Sequence, residues 1–493
     1  MLTVGCNQTP EATKPNIIFI LADDMGYGDV SALNENSKIQ TQAIDRLAQE
    51  GVVFTDAHSS SSVSTPTRYG LLTGRYNWRS TLKNGVLMGY SRALIPPARK
   101  TIAGALQEQG YQTACIGKWH LGWGWNNIEA GEANVDYNKP ITNGPTTLGF
   151  DYFYGISGSL DMAPYIYVEN DMPTALPDRT TEDTGMRFWR KGPTGADFDH
   201  EQTLPNFVNR AVDYIHQKAK EKDPFFLYLP LPAPHTPILP IKEYQGKSGL
   251  NPYGDFVLMV DDMVGRVMAA LQEAGIEENT ILVFASDNGC SPQARFEELA
   301  EKGHYPSYIY RGYKADLFDG GHRIPCILRW PEKAKPHTVN QTICLIDFFA
   351  TFASIAGYQV KENEAEDSYD LLRLLTNSEE KEIIREATVH HSILGHFTIR
   401  KGDWKLLLSP GSGGWSFPRP GTDNEAIAQL PEIQLYNLKD DPGEQVNLYE
   451  KHPETVAELK ELMRQYIRNG RSTPGTPQKN DGPELWDQIK WFM

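Results

Sequence analysis

The chain has 493 residues, enough for a large core and more than one domain. Its formal charge of −16, from 63 acidic against 47 basic residues, argues against nucleic acid and anionic membrane surfaces as partners. No run approaches the roughly 18 apolar residues of a membrane helix, and the five cysteines, odd in number and widely spaced, offer neither a zinc spacing nor a disulfide framework.

Leu2-Thr3-Val4-Gly5-Cys6 ends like a bacterial lipoprotein cleavage site and is followed by a polar spacer, but the charged start and long apolar stretch of a full export signal are missing. Residues 1–15 therefore read as a trimmed export signal and linker, or as a chance match. Residues 16–22 form a continuous apolar run, the pattern of a strand buried on both faces of a parallel sheet. Asp23 and Asp24 follow at its C-terminal end. Adjacent carboxylates repel, so a bound cation would stabilise them, although on the dipeptide alone a solvated turn is the simpler reading. A helix around Ala43 and Leu47 and a strand over 52–54 come next.

The segment Ser64-Thr65-Pro66-Thr67-Arg68-Tyr69-Gly70-Leu71-Leu72-Thr73-Gly74-Arg75 follows. Proline is favoured at a helix start, so Ser64 would sit at a helix N-terminus, where free N–H groups and the dipole favour an anion. Arg68, one turn on, could lean back with a planar fork suited to oxyanions. The pentapeptide alone is more often a capped helix start than a catalytic site.

A helix around Ile102 and Leu106 leads to a strand over 112–116. This alternation predicts an α/β fold with a large, mainly parallel or mixed sheet flanked by helices. Cys115 here, and Cys326 in a later apolar run, read as buried small hydrophobes. In extended chain, Lys118 and His120 would share a face, and a lysine and histidine aimed together suit an anionic ligand. Residues 122–200, rich in Gly, Asn, Pro and aromatics, read as long loops that set specificity. In them Trp123 and Trp125 could stack on a sugar or pack beneath a loop.

Residues 206–220 have the spacing of an amphipathic helix. A strand over 225–229 then leads into a proline-rich segment holding His235, which is either a rigid turn or a positioned catalytic group. A helix over 255–274 and a strand over 280–285 deliver Asp287 and Asn288. Strand C-terminal ends converge on the ligand crevice of open α/β sheets. There Asp23, Asp24, Asp287 and Asn288 make a hard oxygen site for Ca²⁺ or Mg²⁺ rather than zinc. Lys314 stands five residues before Asp319-Gly320-Gly321. A strand over 324–328 and a helix over 346–356 close the catalytic domain, placed at 16–376. A densely charged stretch over 378–386 is a linker or solvated helix. Beyond it, short strands over 387–392, 397–400, 404–408 and 434–436 and a helix over 456–467 predict a C-terminal α+β subdomain, 387–493, with an antiparallel sheet.

Six separated segments, in order, resemble the type I (formylglycine-dependent) sulfatases of the alkaline phosphatase superfamily. They are Asp23-Asp24, the Ser64–Arg75 stretch, Lys118-Trp119-His120-Leu121-Gly122, the segment around His235, Asp287-Asn288, and the Lys314 to Gly321 element. Arg400 to Lys405 and Leu435 to Leu438 resemble that family's C-terminal subdomain. Thr67 stands where the family often has serine. The resemblance implies a sulfuric ester hydrolase, arylsulfatase-like, acting on a sulfated carbohydrate such as a glycosaminoglycan, mucin-type or algal glycan fragment. It further implies that Ser64, or a cysteine replaced by it, is oxidised to formylglycine by a maturation enzyme, and that the hydrated aldehyde attacks sulfur. Ca²⁺ would be held by Asp23, Asp24, Asp287 and Asn288, with Mg²⁺ the second choice. Arg68 and Lys118 would hold the nucleophile, and His120 would act as base. His235 and Lys314 would bind sulfate oxygens, one of them protonating the leaving alcohol. The setting it implies is extracytoplasmic, periplasmic or lipid-anchored through Cys6. Trp78, Arg79, His322, His390 and His391 are candidate specificity residues. Two alternatives are a phosphate or phosphonate monoester hydrolase of the same superfamily and a catalytically silent glycan-binding relative. The Leu72 to Arg75 extension and the full set of catalytic residue types speak against each in turn.

Overall fold

The computed structural model describes residues 13–493, so the export reading of residues 2–6 lies outside them. Ten strands build one sheet: β1 (Asn16–Asp23), β2 (Val52–Phe54), β3 (Gln112–Lys118), β4 (Tyr152–Ile156), β5 (Val168–Glu169), β6 (Met172–Pro173), β7 (Phe225–Pro234), β8 (Thr280–Ser286), β9 (Cys326–Arg329) and β10 (His337–Val339). Their spatial order is β10-β2-β9-β8-β1-β7-β3-β4-β5-β6. The central run β8-β1-β7-β3-β4 is parallel throughout. Antiparallel neighbours appear only towards the flanks, where β9 pairs β8 and β2, and β5 pairs β4 and β6.

The continuous apolar run of β1 follows from burial on both faces. Ile17, Phe19 and Leu21 join one core, while Ile18, Ile20 and Ala22 join the other. Helices α1 (Gln42–Glu50), α2 (Ser64–Thr73), α3 (Ile102–Glu108), α4 (Thr203–Lys218), α5 (Pro252–Glu273) and α6 (Asp347–Ala356) supply the outer layers. Tyr69, Leu106 and Phe352, from α2, α3 and α6, cover the first face. Leu47, Phe207 and Val260, from α1, α4 and α5, cover the second. The result is a three-layer sandwich in which strand ends carry function and strand centres carry packing.

β7 outruns the expected 225–229 because it stays paired with β1, from Leu21 opposite Pro230 to Asp23 opposite Pro234. Pairing with β3 ends at Tyr228, so Pro230, Pro232 and Pro234 lie where no ladder with β3 needs their missing N–H. A smaller antiparallel sheet follows in the order β11 (Thr388–His391), β12 (Phe397–Lys401), β13 (Trp404–Leu407), β14 (Gln434–Asn437). It is backed by α7 (Pro453–Asn469), whose Leu459 and Met463 share a core with Val389, Leu406 and, from the main body, Trp78. The charged stretch over 378–386 forms no helix or strand. Cys115, Cys290, Cys326 and Cys344 are buried and unpaired. Among the described residues no helix is long and apolar enough to cross a membrane.

Candidate active site

Four adjacent parallel strands, β8, β1, β7 and β3, end on the same edge of the sheet and deliver four groups of polar residues to one place. β1 brings Asp23 and Asp24, β8 brings Asp287 and Asn288, β7 brings His235, and β3 brings Lys118 and His120. The first turn of α2 supplies Ser64 and Arg68, all but buried. Ser64 Oγ donates to Asp23 Oδ1 at 3.3 Å and accepts from Lys118 Nζ at 3.4 Å. Lys118 Nζ also reaches Asp23 Oδ2 at 2.6 Å. Arg68 Nη2 donates to Asp287 Oδ2 at 2.9 Å and lies 3.7 Å from Asp23 Oδ1. Lys314 Nζ sits 2.7 Å from Asp24, and His235 Nε2 sits 3.7 Å from Asp24 Oδ2. The structure thus brings together all ten residues singled out from the sequence as catalytic or metal-binding.

The reason Lys118 and His120 meet differs from the one inferred. β3 ends at Lys118, and His120 lies in the left-handed region with φ of 55°, so the two do not share a strand face. Lys118 points beneath Ser64, whereas His120 turns into the cavity wall. Asp24 is also left-handed, at φ 66°. Neither is a glycine, and strain of this kind clusters at functional sites.

Burial pushes Asp287 up to about 6, with the neighbouring Asp23 charge adding to the push against Arg68 and Lys118. Burial also opposes ionisation of Asp23, but Lys118, His235, Arg68 and Lys314 hold that carboxyl well below the usual range. For Lys314, attraction to Asp24 and Asp23 overcomes burial and raises the ammonium pKa. Burial, reinforced by Lys118 and Arg68, holds His120 well below 6.5 and therefore neutral. Its Nε2 donates to the Leu87 carbonyl at 2.7 Å, which leaves Nδ1, buried and without a partner, as the lone-pair nitrogen.

The carboxylates fit a hard dication. Every donor among Asp23, Asp24, Asp287 and Asn288 is oxygen, and Asn288 Oδ1 is buried with no hydrogen-bond partner. A positive ion beside Asp287 would also relieve the repulsion that raises its pKa. A second buried group, His58, His322 and His390, has metal-ligand residue types. However, the His322 and His390 rings are stacked at 4.0 Å with only 4° between their planes. Their in-plane lone pairs therefore run parallel instead of converging on one ion. His58 Nδ1 is 2.9 Å from His322 Nδ1, and His58 Nε2 is 2.7 Å from Asp56. This is a hydrogen-bonded histidine cluster beneath the small sheet.

A cavity of about 480 Å³ opens over the site, with Asp24, Ser64, His120, His235 and Lys314 in its wall. None of Trp78, Arg79, His322, His390 and His391 lines it, which corrects the sequence-based candidates for specificity. Each is at most 1% exposed and has structural partners: Arg79 grips Asp367 at 2.7 and 2.9 Å, and His391 meets Asn77 at 2.9 Å. Trp123 and Trp125 are buried as well, edge to face at 5.3 Å, packing beneath a loop. Asp319 lies outside the cavity and pairs with Lys405 of β13 at 2.7 Å. The sequence reading missed Ser159, which accepts from Lys118 Nζ at 2.7 Å and lies 3.4 Å from His235 Nε2. Asp161, Phe188, Arg190, Gln293 and Trp415 in the cavity wall were missed too. Ser159 stands three residues beyond β4, the neighbour of β3, and that position was the one available signal.

Cationic groups gathered over buried carboxylates, beside a serine at a helix start, suit a tetrahedral anion; fold and site together define a hydrolase of anionic esters. Comparison narrows the class: the Sulfatase family model matches residues 15–358, and the chain belongs to the sulfatase family of sulfuric ester hydrolases. Over 94% of its length it is 35% identical to the N-acetylgalactosamine-6-O-sulfatase of Bacteroides thetaiotaomicron, covering 96% of that protein. Over 92% of its length it is 31% identical to arylsulfatase A of Homo sapiens, covering 87% of it. A solved structure described under the metabolism of multiple glycosaminoglycans by Bacteroides thetaiotaomicron superposes with a TM-score of 0.81 at 34% identity. That match covers 92% of this chain and 99% of the other.

Proposed function

We propose that the protein removes sulfate from a sulfated saccharide, with 6-sulfated N-acetylgalactosamine as the first candidate in view of the Bacteroides relative. The observation that carries the reading is the position of Ser64, with Oγ between Asp23 Oδ1 and Lys118 Nζ at 3.3 and 3.4 Å and in the wall of the cavity.

A bound Ca²⁺ would supply positive charge to sulfate oxygens, and oxidation of Ser64 by a maturation enzyme, a loss of two hydrogens to the aldehyde followed by addition of water, would supply a geminal diol at that position. Asp23, Asp24, Asp287 and Asn288 hold the ion. Lys118 and Arg68, both fully buried, fix the carboxylates and the residue-64 oxygen, so the nucleophile is aligned before substrate arrives. Lys314 and His235, both in the cavity wall, meet the sulfate oxygens and stabilise charge as the ester bond breaks, one of them giving its proton to the leaving alcohol. His235 Nε2 also meets Ser159 Oγ at 3.4 Å, which holds the ring in the cavity wall. His120, neutral and with Nδ1 free, takes the proton from the residue-64 hydroxyl when sulfate is expelled.

The test combines peptide mass spectrometry of the Ser64 segment, made with a serine-type maturation enzyme, with assays on a panel of sulfated sugars. A loss of two hydrogens together with sulfate release supports the proposal. Modified Ser64 that releases only phosphate, from phosphate esters, overturns it.

A further inference from the structure

Resting on the reading above, we propose that Asp161 and Arg190 form a recognition pair for hydroxyl groups of the sugar that carries the sulfate, and set specificity without touching the reacting atoms.

Both residues stand in the wall of the cavity that holds Ser64 and Lys314; Asp161 comes from the loop after β4, and Arg190 from the second strand (Trp189–Gly195) of an antiparallel hairpin that precedes α4. Arg190 Nη1 donates to Asp161 Oδ2 at 2.5 Å and to the Asp161 carbonyl at 3.0 Å, while the Arg190 backbone N donates to that same carbonyl at 3.2 Å. Tyr165 Oη donates to the Arg190 carbonyl at 2.5 Å. The loop after β4 and the hairpin are thereby stitched together, and the pair is held in place before any ligand enters.

The other Asp161 oxygen decides the argument. Oδ1 is buried and has no hydrogen-bond donor, although the residue is only 8% exposed. A buried acceptor left unpaired costs on the order of 1–3 kcal/mol, and more when charged. Here the cavity is the place from which a donor can come, and a sugar hydroxyl is a neutral donor of the right kind. Arg190 complements it. Its side chain is 47% exposed, and its hydrogen bonds to Asp161 run through Nη1, leaving Nη2 and Nε to donate. One partner accepts and the other donates, so the pair suits two neighbouring hydroxyls of one ring. Phe188, 38% exposed and 5.5 Å from the Arg190 guanidinium, lines the same wall and offers an apolar face to ring C–H groups.

The experiment compares matured wild type, Asp161→Asn and Arg190→Ala on two substrates. One is N-acetylgalactosamine 6-sulfate; the other is 4-methylumbelliferyl sulfate, which has no sugar hydroxyls. Sites built to bond a hydroxyl discriminate strongly on it. kcat/KM on the sugar should therefore fall roughly 30- to 100-fold in each variant, with less than about threefold change on the aryl ester. Equal losses on both substrates would mean that the pair only supports the loops, and no loss on either would mean that it meets no substrate; each result overturns the inference. Arg190→Ala guards against misfolding of Asp161→Asn, since the arginine side chain is half exposed. Wild type that cleaves the aryl ester but no sulfated sugar would instead remove the saccharide reading on which the inference stands.

Discussion

His120 occupies a backbone conformation that few non-glycine residues adopt, and its ring is tethered by Nε2 to the Leu87 carbonyl. Asparagine tolerates the left-handed region but cannot take up a proton, so His120→Asn isolates the proposed acid–base role from the fold. We expect kcat to fall by roughly 10²- to 10⁴-fold with an unchanged circular dichroism spectrum. Because burial and nearby cations hold the imidazole pKa below 6.5, the neutral base persists in mildly acidic solution. The acid limb of kcat in wild type should accordingly lie below pH 6.5 and be absent from the variant's profile. A limb at or above that pH would assign the base elsewhere. The carboxylate set makes a separate prediction. Burial, with the neighbouring Asp23 charge adding to it, raises Asp287 to about 6 in spite of Arg68 and Lys118, so a dication among the three acids would stabilise them. Chelation should lower the melting temperature and abolish turnover, and calcium should restore both more fully than magnesium. Titration by differential scanning fluorimetry, followed by assay, checks this.

The strands that carry these residues were legible because a strand buried on both faces cannot hide its apolar run: β1, β7 and β8 each show one, with acids or a histidine just beyond. Helices α4 and α5 were legible from their period, with ends shifted by one to three residues. The loops were not. Asp161 and Arg190 carry no period and no motif, and their meaning comes only from a contact across 29 positions. The five misplaced specificity candidates failed for a related reason: the exposure of a side chain in a short turn or strand cannot be read without knowing what packs on it. One element, the turn after β8, also shows how tightly the motif residues are set. Gly289 donates its N–H to the Gly321 carbonyl at 2.9 Å, and a Cβ there would lie 1.9 Å from the Gly320 carbonyl oxygen. Two backbones touch with no flexible side chain to yield. Gly289→Ala must therefore shift Asn288 on one side or the segment following Lys314 on the other. We expect at least a tenfold loss of kcat/KM, with a weaker response to added calcium than wild type shows. Wild-type kinetics in that variant would mean that the turn relaxes without moving its neighbours.

At the scale of the molecule, the two sheets are joined by buried charge as well as by apolar packing. Lys405, fully buried on β13, reaches Asp319 and Glu444 at 2.7 Å each, and Arg400 on β12 reaches Asp56 at 2.8 Å. Lys405 serves two acids at once, so removing it strands both. Asp319 is held well below the carboxylate range because Lys405, with His58, His322 and Arg323, outweighs its burial. Glu444 is pushed up to about 7 by burial, with the Asp319 charge adding to the push and Lys405 opposing it. The signs then fix the pH dependence of Lys405→Met. A carboxyl whose folded pKa exceeds its unfolded value of 4.5 favours folding while protonated and loses that advantage as pH rises through the folded value. Without the lysine, both acids stay charged at pH 8, Glu444 with no ion-pair partner and Asp319 with only Arg323 at 3.4 Å, whereas at pH 5 Glu444 keeps its proton. Breaking such a buried group costs about 3–5 kcal/mol. We expect that loss at pH 8 and roughly half of it at pH 5, measured by urea denaturation at the two pH values. Because the cavity wall includes Ile393 and Trp415 from the C-terminal part of the chain, loosening that joint should also raise KM for a saccharide before it lowers kcat. An equal loss of stability at both pH values would show that Lys405 acts through packing, and the electrostatic account of the joint would fall.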